Sequence, residues 1–256
     1  MMKQLLIRTL PTGIYLKLKR LDYKRTHRTS FEASQAMRTN VDEQGYSYKG
    51  FDEKKAIFIH VPKCAGVSIN KTLFGNLGGG HCTLEDYSKI FEPKCIRDYF
   101  KFTFVRNPWD RLVSAYFFLK KGGFGEKDKQ WFDENLSSFD DFDDFVKNWV
   151  NTENIWKWHH FRPQHHYILD KRRRVELDFL GYFENINEDF KIIMNKVGIE
   201  AELPGSNASK HNSYIEYYTD ETKEIARKAY SADINLLGYE FDNSSLQKQL
   251  SARKLF

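Results

Sequence analysis

Lys54-Lys55-Ala56-Ile57-Phe58-Ile59-His60-Val61-Pro62-Lys63-Cys64-Ala65-Gly66-Val67-Ser68-Ile69 reads as strand, loop and helix in succession. Ala56 to Val61 is an apolar run of strand length, Pro62 and Gly66 punctuate a short loop, and Ser68 opens a helical pattern. Such a loop offers an anion the unpaired N–H groups and positive dipole end of the helix that follows. Gly66 lets the backbone come close, and Lys63 adds a full charge. The stretch predicts a phosphate cradle. Strand–glycine–helix turns also occur where nothing binds, so a second stretch has to decide between the two readings.

That second stretch is Phe100-Lys101-Phe102-Thr103-Phe104-Val105-Arg106-Asn107-Pro108-Trp109-Asp110-Arg111-Leu112-Val113-Ser114-Ala115-Tyr116. A β-rich run again ends in a cation, Arg106. Pro108 suits a helix entry, and the first turns carry Arg111 and Ser114. Two strand-to-helix units, each delivering a positive group, predict an α/β fold with two anion sites: a P-loop-like parallel β-sheet flanked by helices, with a helical insertion. Together the two stretches resemble the paired signature of sulfotransferases that use 3′-phosphoadenosine 5′-phosphosulfate. The wording is closest to the branch of Golgi carbohydrate sulfotransferases and their bacterial relatives. The resemblance runs with gaps from about Ile57 to about Phe241.

By that resemblance Lys63, Cys64, Ala65, Gly66, Val67 and Ser68 form the loop for the 5′-phosphosulfate, and Arg106 with Ser114 takes the 3′-phosphate. Val67 stands where the family commonly has a hydroxyl residue, which removes one phosphate contact. His81 lies between Gly78-Gly79-Gly80 and a helix start capped by Thr83, with Asp86 in the capping-box position. Its position between the two cofactor motifs resembles that of the family's catalytic histidine, so His81 is expected to be the base and Lys63 to stabilise the departing phosphate oxygen. Glu85 and Asp86 are the fallback carboxylates, Glu85 also being placed on the acceptor side. Asn207-Ala208-Ser209-Lys210-His211 resembles a downstream loop near cofactor and acceptor, which puts Ser209 beside the cofactor and His211 beside the acceptor.

The 256 residues suffice for one substantial domain, expected over 51–256, with a helical insertion at about 121–160 and an N-terminal extension over 1–50 packed on or beside it. In the insertion Phe139, Phe142, Phe145, Val146 and Trp149 fall on one helical face and are expected in the core. Trp156, Trp158, His159, His160, Phe161, Arg162, Pro163, Gln164, His165 and His166 crowd one loop. The histidines form adjacent pairs that cannot share an i, i+4 face, and no carboxylate or cysteine cluster accompanies them, so no metal is expected. Aromatic, arginine and amide groups suit a sugar instead, and Arg162 and Gln164 are expected to bind the acceptor, a polysaccharide or glycolipid hydroxyl.

Net charge +5 suits an anionic cofactor or acceptor, and no RNP, helix-turn-helix or zinc-finger pattern points to nucleic acid. Cys64, Cys82 and Cys95 show no paired spacing, consistent with a reducing compartment. Lys3, Arg8 and Pro11 interrupt the apolar residues near the start, so neither an export signal nor a spanning helix is expected, and the expected place is the cytoplasm. The basic run Lys17, Lys19, Arg20, Lys24, Arg25 and Arg28 is expected to be a solvated face, one that could touch an anionic membrane. Two other readings stay open. A P-loop kinase-like phosphotransferase would need its lysine after the second glycine of GxxxxGK[ST], whereas Lys63 precedes Gly66. A noncatalytic polyanion-binding module leaves both anion motifs unexplained.

Overall fold

The computed structural model describes residues 10–172, 174–204 and 213–253. Helices α1 (Thr12–Thr26), α2 (Arg28–Ala36) and α3 (Lys49–Lys54) precede strand β1 (Ala56–Ile59). Then follow α4 (Gly66–Phe74), α5 (Leu84–Ile90), α6 (Pro93–Asp98), β2 (Phe100–Val105) and α7 (Pro108–Lys120). Next come α8 (Glu126–Asn135) and α9 (Phe142–Trp149), and the short α10 (His165–Ile168) leads towards β3 (Phe179–Tyr182). The chain continues through α11 (Ile186–Val197), α12 (Asp220–Ala229), α13 (Ser231–Leu237) and α14 (Leu246–Ala252).

The fold is α/β, with a small parallel sheet in the order β1-β2-β3. Ala56 pairs with Phe100 and Ile59 with Thr103, while Phe102 pairs with Phe179 and Val105 with Tyr182. Every residue of β1 and β2 is buried, as parallel strands covered by helices on both faces require. Because the strands run in one direction, the chain leaves β1 and β2 at the same end of the sheet, and the loops that carry Lys63 and Arg106 start there. The face with Phe58, Phe102 and Phe104 continues into Phe51, Tyr87 and Phe91 as one core.

Local signals set several boundaries. Asn107 caps α7 by accepting from the Trp109 amide at 3.0 Å, with Pro108 in the first turn. Thr83 and Asp86 form the expected capping box at the start of α5. Phe142, Phe145, Val146 and Trp149 are buried, and Phe139 packs against the core.

Other expectations need correction. β1 stops at Ile59, not Val61. α4 begins at Gly66, not Ser68, because Ala65, at φ 61°, marks its N-terminal boundary. Gly75 at φ 69° terminates α4. Phe179–Tyr182 forms the third strand of the sheet, while Val175 bridges Leu169 in antiparallel fashion.

The basic N-terminal run is not wholly solvated. Lys17, Lys24, Arg25 and Arg28 are exposed, but Lys19 pairs with Glu85, and Arg20 meets Glu92 at 2.6 Å. Arg38 bridges Glu92 and Asp52 at 2.6 and 2.7 Å. These pairs fix α1 and the segment after α2 against α5 and α6. Among the described residues no helix is long and apolar enough to cross a membrane.

Candidate active site

The cradle is built on an unusual backbone. Lys63 and Ala65 lie at φ 69° and 61°, a region that non-glycine residues seldom occupy and that turns loop amides inward. Gly66 is required for space: a Cβ here would meet the His60 ring at 1.8–2.4 Å. The loop and the start of α4 open on a cavity of about 320 Å³ whose lining includes Lys63, Ala65, Gly66, Val67, Ser68 and His81. Cys64 faces the other way. It is 1 % exposed, packed in the core with its thiol 3.6 Å from Gln164 Oε1, and burial pushes that thiol up to about 12. Only its backbone remains available to a cofactor.

Lys63 Nζ sits 3.5 Å from the centroid of the Phe118 ring. Burial, and then the neighbouring Arg106 charge, bring its ammonium down to about 7. An anion in the cradle would supply the missing countercharge.

Arg106 ties the two motifs together. Nη1 donates to the Lys63 carbonyl at 3.1 Å, while Nε and Nη2 donate to the two Asp110 oxygens at 2.7 and 2.8 Å. Phe183 packs against the guanidinium at 4.1 Å. The bidentate edge expected to face a phosphate is thus held by Asp110. Ser114, four residues beyond Asp110, is half-buried on the same side of α7. Neither Arg106 nor Ser114 lines the cavity. Arg111, fully buried, donates to the carbonyls of His160, Phe161 and Arg162 at 3.0, 3.2 and 2.8 Å, which shapes the loop opposite the cradle.

His81 reaches the cavity beside Lys63. Its Nδ1 lies 3.2 Å from the His60 carbonyl; an N–H donated there fixes the tautomer and leaves Nε2 as a free acceptor. Burial, then nearby His159, lower it to about 4, so it is neutral at pH 7.

Several expected residues stand elsewhere. Glu85 does not line this cavity: it is covered by α1, pairs with Lys19 and accepts from the Lys171 amide at 3.4 Å. Asp86 is committed to Thr83 and Lys89. Gln164 is completely buried. Its Oε1 accepts from the Arg106 amide at 2.9 Å and its Nε2 donates to the Arg106 carbonyl at 2.8 Å, so its side chain clasps backbone instead of facing a sugar. The Arg162 guanidinium donates to the Trp156 carbonyl at 3.2 Å, outside the cavity lining. Ser209 and His211 lie outside the described residues.

Sequence reasoning missed part of the wall: His60, Asp128, His159, His160, Phe118, Phe124 and Tyr46 also line the cavity. His60 was visible as a polar residue at the end of an apolar strand. Asp128 gave no signal, because only the tertiary fold brings it to His160, 3.3 Å away. A larger cavity, of about 930 Å³, runs between β3 and α14, but neither motif contributes to it.

A family model described as the sulfotransferase family matches residues 47–240, and so spans both motifs and the cavity. An uncharacterized protein of Archaeoglobus fulgidus is 36% identical over 111 residues, covering 43% of this chain and 77% of that protein. Carbohydrate sulfotransferase 14 of Danio rerio is 26% identical, with 59% of this chain and 47% of the relative covered. Carbohydrate sulfotransferase 10 of Rattus norvegicus is 23% identical, with 74% and 65% covered. The chain thus spans less than two thirds of either named sulfotransferase. No solved structure matches at the stringency these relatives meet.

Proposed function

The chain belongs to the sulfotransferase family, and from that premise we propose that it moves a sulfuryl group from 3′-phosphoadenosine 5′-phosphosulfate to a hydroxyl of a carbohydrate acceptor, a polysaccharide or glycolipid. One observation carries this reading: Lys63, the amides of the cradle and His81 share one cavity, and the Arg106 guanidinium is bonded to the cradle itself.

The donor, when bound, brings the group to be transferred and a phosphate that departs with its negative charge. Lys63, the loop amides and the N-terminus of α4 supply fixed positive potential for such a charge, within a site shielded by Phe118. Ser68, on the cavity wall, offers a hydroxyl to the 5′-phosphate. Arg106 is assigned to the 3′-phosphate with Ser114 beside it. Three of the five N–H groups of a guanidinium are occupied by Asp110 and the Lys63 carbonyl, and the remaining two are available to an anion. Asp110 and the cradle hold the guanidinium in place before any ligand arrives. His81 Nε2, neutral and unprotonated, accepts the proton of the acceptor hydroxyl. The names of the two carbohydrate sulfotransferase relatives support the acceptor class.

The test is transfer from a sulfur-labelled donor across a glycan panel, combined with calorimetry of 3′,5′-adenosine bisphosphate without magnesium. His81→Ala should keep nucleotide affinity and lower turnover about 100-fold or more. Lys63→Ala should lower turnover by about 10²-fold or more while the protein stays folded. Full transfer by Lys63→Ala would sink the assignment.

A further inference from the structure

The cavity is lined by three imidazoles from two distant segments. His81 precedes α5, and His159 and His160 lie in the loop before α10. One ring nitrogen from each lies within 4.8 Å of the other two. Along residues 159–166 the adjacent histidine pairs share no helical face, but the fold adds His81 to two of them.

We propose that His81, His159 and His160 form a binding site for one divalent cation of the nitrogen-preferring class, such as Zn²⁺, Co²⁺ or Ni²⁺. The hydrogen bonds around the rings leave nitrogens free for it. His81 Nδ1 is held by the His60 carbonyl, so Nε2 keeps its lone pair. His160 Nε2 faces Asp128 Oδ2 at 3.3 Å, and its Nδ1 is buried with no partner among the described residues. A carboxylate behind a metal-bound imidazole orients the ring and raises its basicity, and Asp128 has that place.

Asp128 is itself anchored, accepting from the Phe124 amide at 2.8 Å and from Trp158 Nε1 at 3.0 Å. Its negative charge offsets part of the repulsion between a cation and Lys63. Donor nitrogens around tetrahedral zinc sit ~3.3 Å apart, so side-chain rotations of about 1–1.5 Å would close the site. Three imidazoles without a carboxylate in direct reach select against Mg²⁺ and Ca²⁺. A three-histidine site leaves a fourth coordination position for water or an anion.

The site has a functional consequence, which rests on the proposed role of His81. A cation on Nε2 removes the lone pair that would take the acceptor proton, so bound metal switches transfer off.

The experiment uses the full, untagged chain and Co²⁺, with no donor or acceptor present. The proposal expects one equivalent bound by equilibrium dialysis, with the ligand-field absorption of nitrogen-coordinated Co²⁺, and no displacement by excess Mg²⁺. Asp128→Asn should weaken binding about 10–100-fold, and His159→Gln, at a half-buried position that tolerates change, at least as much. Folding of each variant is checked by circular dichroism. No saturable binding by the wild-type chain, or equal affinity in His159→Gln, overturns the site. Because the readout is metal occupancy, it stands apart from any failure of nucleotide binding or transfer.

Discussion

Gly66→Ala tests the geometry of the cradle directly. Gly66 has no left-handed backbone, so alanine is conformationally acceptable, and in a helical position it would be favoured over glycine by ~0.5–1 kcal/mol. The His60 ring decides the outcome. The new methyl would fall 1.8 Å from Cδ2, 2.0 Å from Nε2 and 2.4 Å from Cγ. His60 is 7 % exposed, wedged between the Phe58 and His81 rings at 5.9 and 4.4 Å, and cannot swing aside freely. Overpacking of this kind costs about 1–3 kcal/mol net. For a chain of this size that lowers the melting temperature by roughly 2–12 °C.

His60→Ala removes all three clashing atoms. In that background Gly66→Ala should be neutral or mildly stabilising, giving an interaction energy of about 1–3 kcal/mol between the two positions. Urea unfolding followed by tryptophan fluorescence, run on the four members of the cycle, measures it. A Gly66→Ala midpoint equal to wild type, or the same penalty in both backgrounds, would refute the argument that His60 makes this position a glycine.

Three further outcomes are expected. Gln164→Ala should destabilise the fold by about 2–6 kcal/mol, since it orphans both buried backbone groups of Arg106 at ~1–3 kcal/mol each; a normal unfolding midpoint with a raised acceptor KM would show a sugar contact instead. Lys63, lowered to about 7 in the folded chain against 10.5 when unfolded, binds fewer protons folded than unfolded over that interval, so stability should rise with pH between about 7 and 10.5. Lys63→Met should flatten that rise, and nucleotide binding at pH 8 should take up close to one proton, read from calorimetry in buffers of different ionisation enthalpy. Glu85→Gln should lower the melting temperature through the lost Lys19 pairing and leave acceptor KM unchanged.

The parts legible in the sequence are those where local chemistry decides. Phe100–Val105 is apolar enough to be a doubly covered strand, Pro108 and Asn107 mark a helix entry, and Thr83 with Asp86 marks another. The strand–loop–helix unit is legible because Lys63, Gly66 and the helix start lie within four residues of one another. What failed depended on burial. Gln164 and Arg162 share a loop with aromatic residues and look like sugar ligands, yet the fold turns the amide inward to serve Arg106. Glu85 looks like a spare carboxylate until α1 covers it. The Arg106–Asp110 pair follows from its i, i+4 spacing. Asp128 beside His160 carried no local sign at all.

The clasp formed by Gln164 has a bearing on how the protein is made. Gln164 grips the backbone of Arg106, and Arg106 grips the carbonyl of Lys63, so three points far apart along the chain lock one another. At ~5–20 residues per second, roughly 5–20 s of synthesis separate the emergence of Ser68 from that of Gln164. During that interval a nascent polypeptide already displays every residue of the loop from Lys63 to Ser68 yet has no latch to hold it. A stalled ribosome complex ending before residue 164 should therefore fail on an adenosine bisphosphate resin, whereas one that has exposed α13, whose Asp233 accepts from the Gln164 amide at 2.6 Å, should be retained.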